Sequence, residues 1–348
     1  MIFCNINRTP EENPGKSKSG DINSKTKKPV TWRIIRNVLP WAVTALILIY
    51  VFKQVPLSDV REAFALVRLH IFIPVSLFVF TIFFLADSLT HHLAFNWLAA
   101  HTKFLEVLPA RGATYLLTQL NFFAGQGGIG YWLSRKKKVP AGEAASTIVF
   151  VMFMDFFVIM FLSSIGILLM PEIHPGHFFN ITSKGSLVRV VYISLAVILF
   201  MVFIWVDKPE GKLVRWLMFR GPFMVFDRLK FSHFAWMFLF KLIRYIVEII
   251  GAWVGLKAFG VNVPLFKVFT YLPLIYLISA IPITVLNLGT SQVAWLFFFE
   301  GAASPGVLIA FSFLWHFSFV VAKMTVGVTC LPSVTKDLSS DPSRPRRD

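Results

Sequence analysis

Six stretches of this chain are apolar over about the length that a lipid bilayer demands, and this settles the solvent before any motif is read. A helix crossing the hydrocarbon needs roughly 20 apolar residues. The stretches are 38–52, 71–97, 144–170, 187–206, 234–259 and 307–331, the first of them short but flanked by Trp32 and Trp41. Composition agrees: 56% of residues are hydrophobic, 38 are Phe, and only 15% are charged. A soluble domain carries about a quarter charged residues. The expected fold class is therefore all-α and polytopic, built in a membrane. The formal charge of +16 would suggest nucleic acid on a soluble fold. Here it fits Lys and Arg held in cytoplasmic loops, and no nucleic-acid partner is expected. Residues 1–37 are polar and basic and hold no apolar core of a signal peptide. They read as a tail that orients the chain or touches anionic headgroups, and 332–348 as a second tail. Cys4 and Cys330 lie near opposite ends, so no disulfide framework is implied.

Two apolar regions are not simple spans. Residues 113–124 cover about half a membrane and end in four glycines, Gly125, Gly127, Gly128 and Gly130. Residues 266–299 are too long for one helix and are broken by Pro273, by Pro282 and by the run from Asn287 to Gln292. Irregular backbone at membrane depth survives only when buried in protein or lining a wet cavity. Both regions are thus expected to be re-entrant hairpins. Placing them so puts 24 of the 34 Lys and Arg on one side and seven on the other, with Lys241, Arg244 and Lys323 inside spans. That asymmetry predicts both termini in the cytoplasm. The single transmembrane domain, 38–331, then divides into half-repeats 38–170 and 187–331, each with three crossings and one hairpin, in opposite orientation. Paired broken segments in inverted halves point to a transport site near the midplane.

Several residue groups are candidates for that site. Gly125 to Gly130 matches GxGxxG in form, but no strand precedes it, so a dinucleotide is not expected. Two readings stay open. The glycines form a hairpin tip that only permits close packing, or one that also lets a ligand approach Gly128 and Gly130 at a helix N-terminus. Arg135 to Lys138 reads first as a topology signal. Asp87 and His91 are one turn apart on the second span; they form a proton relay or a helix-internal hydrogen bond. No cysteine or His-x-Glu cluster supports a metal, and no cofactor is expected. Asp155 stands alone among Phe153, Met154, Phe156 and Phe157, and a lone carboxylate there must find a donor or be protonated. Lys241, Arg244 and Glu248 share one helix face. Arg244 and Glu248 at i, i+4 can neutralise each other, which leaves one cation for a phosphate. His316 and Lys323 share a face of the last span, where Lys323 can snorkel. There is no GxSxG, Walker lysine, HExxH or Cys pair, so the chain is not expected to be an enzyme.

The segments 130–155 and 282–316 resemble those of a known family, the membrane region of lysylphosphatidylglycerol synthases and their free-standing flippase-like relatives. The likeness covers about 38–331. Gly130 matches the glycine of the family's first turn, 139–145 the start of the following helix, and Asp155 its aspartate. Pro282, Gly289 and Gln292 match the second turn, and His316 stands where the family has arginine. Tyr131 and Gln292 replace the two turn glutamates. The resemblance implies six or more spans, re-entrant hairpins, and movement of anionic or modified lipids between leaflets. With only 17 residues after Leu331, a soluble aminoacyl-transferase domain, and hence lipid aminoacylation, is not expected of this chain. It also implies a bacterial inner membrane.

The function expected is therefore translocation of an anionic or modified lipid, or a lipid-linked molecule. Its site would draw on Asp155, Lys241, Arg244, Glu248, Gly128, Gly130, Asn287, Gly289, Gln292 and His316. The alternatives are a non-transporting membrane partner of a glycosyltransferase or lipid-modifying enzyme, favoured by the replaced motif charges, and a small-solute secondary transporter.

Overall fold

The structure is a computed structural model, and it describes residues 44–47, 49, 50, 53, 55–169, 184–208, 211, 219–279 and 288–339. Among these, all regular structure is helical. The order is α1 (Leu57–Leu66), α2 (Leu69–Leu98), α3 (Phe104–Leu120), α4 (Phe122–Lys137), α5 (Ala141–Leu169) and α6 (Lys184–Asp207). A 3-10 helix (Gly221–Arg228) follows, then α7 (Phe231–Ala258), α8 (Leu265–Ser279), α9 (Thr290–Phe298) and α10 (Pro305–Ser339). By length and composition, α2, α5, residues 188–207 of α6, and α10 are able to cross a membrane. Helix α7 is equally long at 28 residues but carries Lys241, Arg244 and Glu248. Most of the expected first span lies outside the described residues; its residues 44–47 are helical.

The first irregular region is a pair of helices, not a half-span ending in a glycine turn. Helix α3 starts where Lys103 N–H donates to Glu106 Oε2 at 3.1 Å. It ends at Asn121, which is extended (φ −160°). The chain reverses there, and α4 runs back beside α3. Lys137 Nζ at its end meets Glu106 Oε2 at 2.8 Å, so the two outer ends lie level. The glycines are therefore inside α4, and Gly125 and Gly128 face α3. A Cβ on Gly125 would fall 2.9 Å from the Thr118 Cα, and one on Gly128 2.7 Å from Leu117 Cδ1. Each helix is only 16 or 17 residues, about 25 Å long, which is short of a bilayer core of about 30 Å.

The second irregular region is also two short helices, α8 and α9. Residues 280–287 between them, including Pro282 and Asn287, lie outside the described residues. The Tyr271 ring at the middle of α8 lies 5.4 Å from Phe298 and 5.5 Å from Phe299, so the end of α9 packs against the middle of α8.

Helices α2 and α7 run antiparallel along their whole length. Arg68 N–H, at the start of α2, donates to Ala258 O at the end of α7 (2.9 Å). At the opposite end Trp97 stacks on His233 at 4.7 Å. Around this pair, α3 packs on α10 and α8 packs on α5. Small residues set both crossings, as expected where close backbone approach drives helix association. A Cβ on Gly112 would lie 2.7 Å from Cys330 Sγ, and one on Gly327 2.6 Å from Leu116 Cγ. One on Gly166 would lie 2.9 Å from Thr270 Cα. Between the helices Phe72, Phe259, Phe311 and Trp315 meet edge to face.

Three ion pairs gather at one end of the bundle. Lys136–Asp337 (2.7 Å), Lys137–Glu106 and Arg228–Glu143 (3.0 Å) tie α10, α4, α3, α5 and the 3-10 helix together at one end. Leu98 O accepts from Arg228 at that same end (2.7 Å).

Candidate functional site

Charged side chains from five helices converge inside the bundle. Asp155 is the central residue of α5 and Arg244 lies at the middle of α7. Asp155 Oδ1 takes both Lys241 Nζ at 2.7 Å and an Arg244 guanidinium nitrogen at 3.2 Å. The Lys241 side chain is 2% exposed and that of Arg244 8%, whereas the Asp155 carboxylate is 30% exposed. This carboxylate is thus the open side of the group. Glu248 approaches Arg244 only to 3.8 Å, and its Oε1 has no hydrogen bond. The pairing of Arg244 with Asp155 across helices is closer than its pairing with Glu248 along α7.

A second buried pair lies nearby. Arg111 on α3 donates through Nε to Asp87 Oδ2 at 2.6 Å, and the Tyr115 hydroxyl donates to the same oxygen at 2.7 Å. His91 Nδ1 lies 2.7 Å from the backbone oxygen of Asp87 and 3.5 Å from its Oδ1. The side-chain Nε2 of His91 is buried without a hydrogen bond. Of the two readings of Asp87 and His91, this geometry contains the helix-internal contact. Their strongest partner, Arg111, is one that charge counting had placed with the loop cations.

Aromatic rings join the two groups. Arg111 Cζ lies 4.9 Å from the Tyr115 ring centre; Lys323 Nζ on α10 lies 5.9 Å from that ring and 5.1 Å from Phe83; Arg244 Cζ lies 5.0 Å from Phe83 and 4.1 Å from Tyr245. Cations facing ring quadrupoles in this way are stabilised most where water is excluded. Among the described residues Lys323 has these ring contacts and no ion pair. It therefore turns inward and does not snorkel. The described cluster holds four cations, Arg111, Lys241, Arg244 and Lys323, and three carboxylates, Asp87, Asp155 and Glu248.

The remaining sequence candidates lie elsewhere. Gly128 faces Thr114 and Leu117 inside the α3–α4 pair. Gly130 faces Ile148 of α5 and lines a surface groove. No anion is offered the N-terminus of α4, because Asn121 Oδ1 already accepts from the N–H groups of Phe123 (2.9 Å) and Ala124 (3.2 Å). Such a side-chain cap satisfies the donors that an anion would use. Gly289 is left-handed (φ +94°) beside Ile47, and its N–H donates to Gln292 Oε1 at 2.7 Å. Gln292 thereby closes the start of α9. His316 is half-buried on α10, two turns before Lys323. No group of His, Cys, Asp and Glu suited to a metal ion occurs among the described residues. Arg111 and Tyr115 were missed by sequence reasoning. The available signal was Arg111 itself, at i−4 from Tyr115 in a segment of otherwise apolar and small residues.

No curated protein matches the chain. The sequence profile of the family described as "Lysylphosphatidylglycerol synthase TM region" matches residues 37–327. With its apolar helices this makes the chain an integral membrane protein, and it belongs to the lysylphosphatidylglycerol synthase transmembrane-region family.

Proposed function

We propose that this protein moves an anionic lipid, or a lipid-linked molecule with a phosphate headgroup, between membrane leaflets, and that it does so without catalysing a covalent reaction. One observation carries the reading: a mid-helix cluster with one cation in excess, whose exposed member, Asp155, is held by Lys241 and Arg244. Unpaired charge within a bilayer is costly, and intramembrane ionisable groups mark substrate or proton pathways. A phosphate arriving at Asp155 meets two cations and offers them more acceptor oxygens than the carboxylate does. Displacement of Asp155 frees Lys241 and Arg244 to hold the headgroup midway. The excess cation, Lys323, offsets the charge that then remains.

Packing supports two inverted halves around this site. Exchanging α2 with α7, α3 with α8, α4 with α9 and α5 with α10 turns the α3–α10 contact into the α8–α5 contact and maps the antiparallel α2–α7 pair onto itself. Under this reading α3–α4 and α8–α9 are re-entrant hairpins entering from opposite faces, and the ends tied by Arg228, Lys136 and Lys137 face the cytoplasm of a bacterial inner membrane.

The test is leaflet exchange of headgroup-labelled phosphatidylglycerol in proteoliposomes. Wild-type protein should speed exchange over protein-free liposomes, and Arg244→Ala should slow it by about tenfold, the loss of one charge-assisted contact. Wild-type protein that moves neither this lipid nor a prenyl phosphate would overturn the reading. The capping bond of Gln292 favours a second reading. A polar side chain at the family's second turn is here engaged in structure, as in a non-transporting partner of a lipid-modifying enzyme. Stable co-purification with such an enzyme, and function indifferent to Arg244→Ala, would decide for it.

A further inference from the structure

A groove with a volume of about 370 Å³ lies between α4 and α5, away from the charged cluster. This is within the size of small-ligand sites. One wall is Gly127, Gly130 and Tyr131; the other is Ala141, Ala145 and Ile148. The spacing is helical on both sides, so the groove follows the helix axes. Small side chains at Gly127, Gly130, Ala141 and Ala145 leave it open: a Cβ on Gly127 would meet nothing within 4 Å. The lining is apolar save for Gln126, whose buried Oε1 accepts no hydrogen bond, and Ser134, whose hydroxyl is already given to Val139 O at 2.8 Å.

Charge at the outer end names the occupant. Tyr131 is half exposed, and Arg135 Cζ lies 5.5 Å from its ring centre. Lys136 and Lys137 are taken by Asp337 and Glu106. Among the described residues Arg135 and Lys138 make no ion pair, and both are exposed. An apolar slot beneath two free cations, at the basic end of a membrane bundle, is complementary to one molecule above others. We infer that this groove seats an acyl chain of an anionic glycerophospholipid from the adjacent leaflet, with its phosphate at Arg135 and Lys138. The chain fills the space that Gly127 and Gly130 leave, and lies on the face of α5 that continues through Met152 to Asp155. The site stands whether or not the protein moves lipid, because a resident lipid would occupy it equally.

The test uses the full-length protein in nanodiscs doped with phosphatidylglycerol or phosphatidylcholine, each carrying a diazirine in one acyl chain. Cross-links are mapped by mass spectrometry. Phosphatidylglycerol should label residues 126–148 more than it labels the lipid-facing side of α6, and more than phosphatidylcholine labels the groove. Gly127→Leu should cut that labelling by about tenfold, the effect of displacing roughly two buried methylenes. Ala145→Leu fills the groove from the other wall and serves if Gly127→Leu fails to fold. Arg135→Gln with Lys138→Gln should bring the two lipids to equal labelling. Gln126→Leu, which removes the unsatisfied oxygen, should raise labelling by either lipid. Even labelling of all lipid-facing helices, indifference to both groove-filling variants, equal yields from the two headgroups in the wild type, or no rise with Gln126→Leu would each overturn the inference. Loss of leaflet exchange with groove labelling intact would overturn only the translocation reading.

Discussion

Arg111 and Asp87 form a buried ion pair between α3 and α2, with Nε 2.6 Å from Oδ2, and the Tyr115 hydroxyl closes on the same oxygen. Both side chains are nearly inaccessible, at 5% and 6% exposure. Two consecutive helices are thereby fixed in register at a point next to the Asp155 group.

Removing one partner should leave the other charged and unsatisfied. Asp87→Asn is expected to destabilise the protein by about 3–5 kcal/mol, the usual effect of stranding a buried charge. Removing both, with Asp87→Leu and Arg111→Met, should recover most of that loss. Thermal unfolding in detergent measures it; a double variant no more stable than Asp87→Asn would show that the pair is not the unit.

The glycines of α4 are expected to differ sharply in tolerance. Gly125→Ala puts a Cβ 2.8 Å from Thr118 Cβ and 2.9 Å from its Cα, so α3 and α4 must part. Overpacking of this kind costs about 1–3 kcal/mol. Gly127→Ala meets open space and gains helix propensity, so it should be neutral or stabilising. Unfolding temperatures of the two variants check the contrast.

Acid should loosen the outer end of the α3–α4 pair. The hydrogen bond from Lys137 holds the Glu106 carboxyl below its ordinary value of 4.5. A carboxylate shifted down on folding stabilises the fold fully above its unfolded value and loses that contribution as pH falls through the folded value. Amides of residues 103–108 should thus exchange faster with deuterium as pH drops below about 4.5, after correction for intrinsic rates. Glu106→Gln should abolish this pH dependence.

The proposed inverted arrangement predicts that Lys138 and Asn262 lie on different faces. Ser134 and Ser291 are poorer reporters, because Ser291 is buried and Ser134 bonds to Val139 O. Cysteines introduced at the exposed positions Lys138 and Asn262 should react with a membrane-impermeant maleimide from opposite sides. Labelling of both from one side would end the inverted-halves argument.

Much of the architecture was legible in the sequence because lipid is a blunt solvent. Long apolar runs located α2, α5, α6 and α10, and the Pro and Gly interruptions located both pairs of short helices. The turn itself was misplaced. Four glycines suggested a reversal at 125–130, yet the chain turns at Asn121. Glycine answers equally to a turn and to a close helix contact, and only the position of Thr118 and Leu117 opposite Gly125 and Gly128 separates the two. Likewise, the spacing of Lys241, Arg244 and Glu248 disclosed a shared face but overstated the pairing of Arg244 with Glu248.

The sequence by itself determined the membrane setting, the helical class and most of the buried charges, Arg111 excepted, since each follows from local composition and period. The tertiary structure decided which charges meet. Asp155 faces Lys241 and Arg244, and Asp87 faces Arg111, because small residues at Gly112, Gly166 and Gly327 let particular helices cross closely at particular heights. An interhelical contact depends on such crossings, which no single helix's sequence encodes alone.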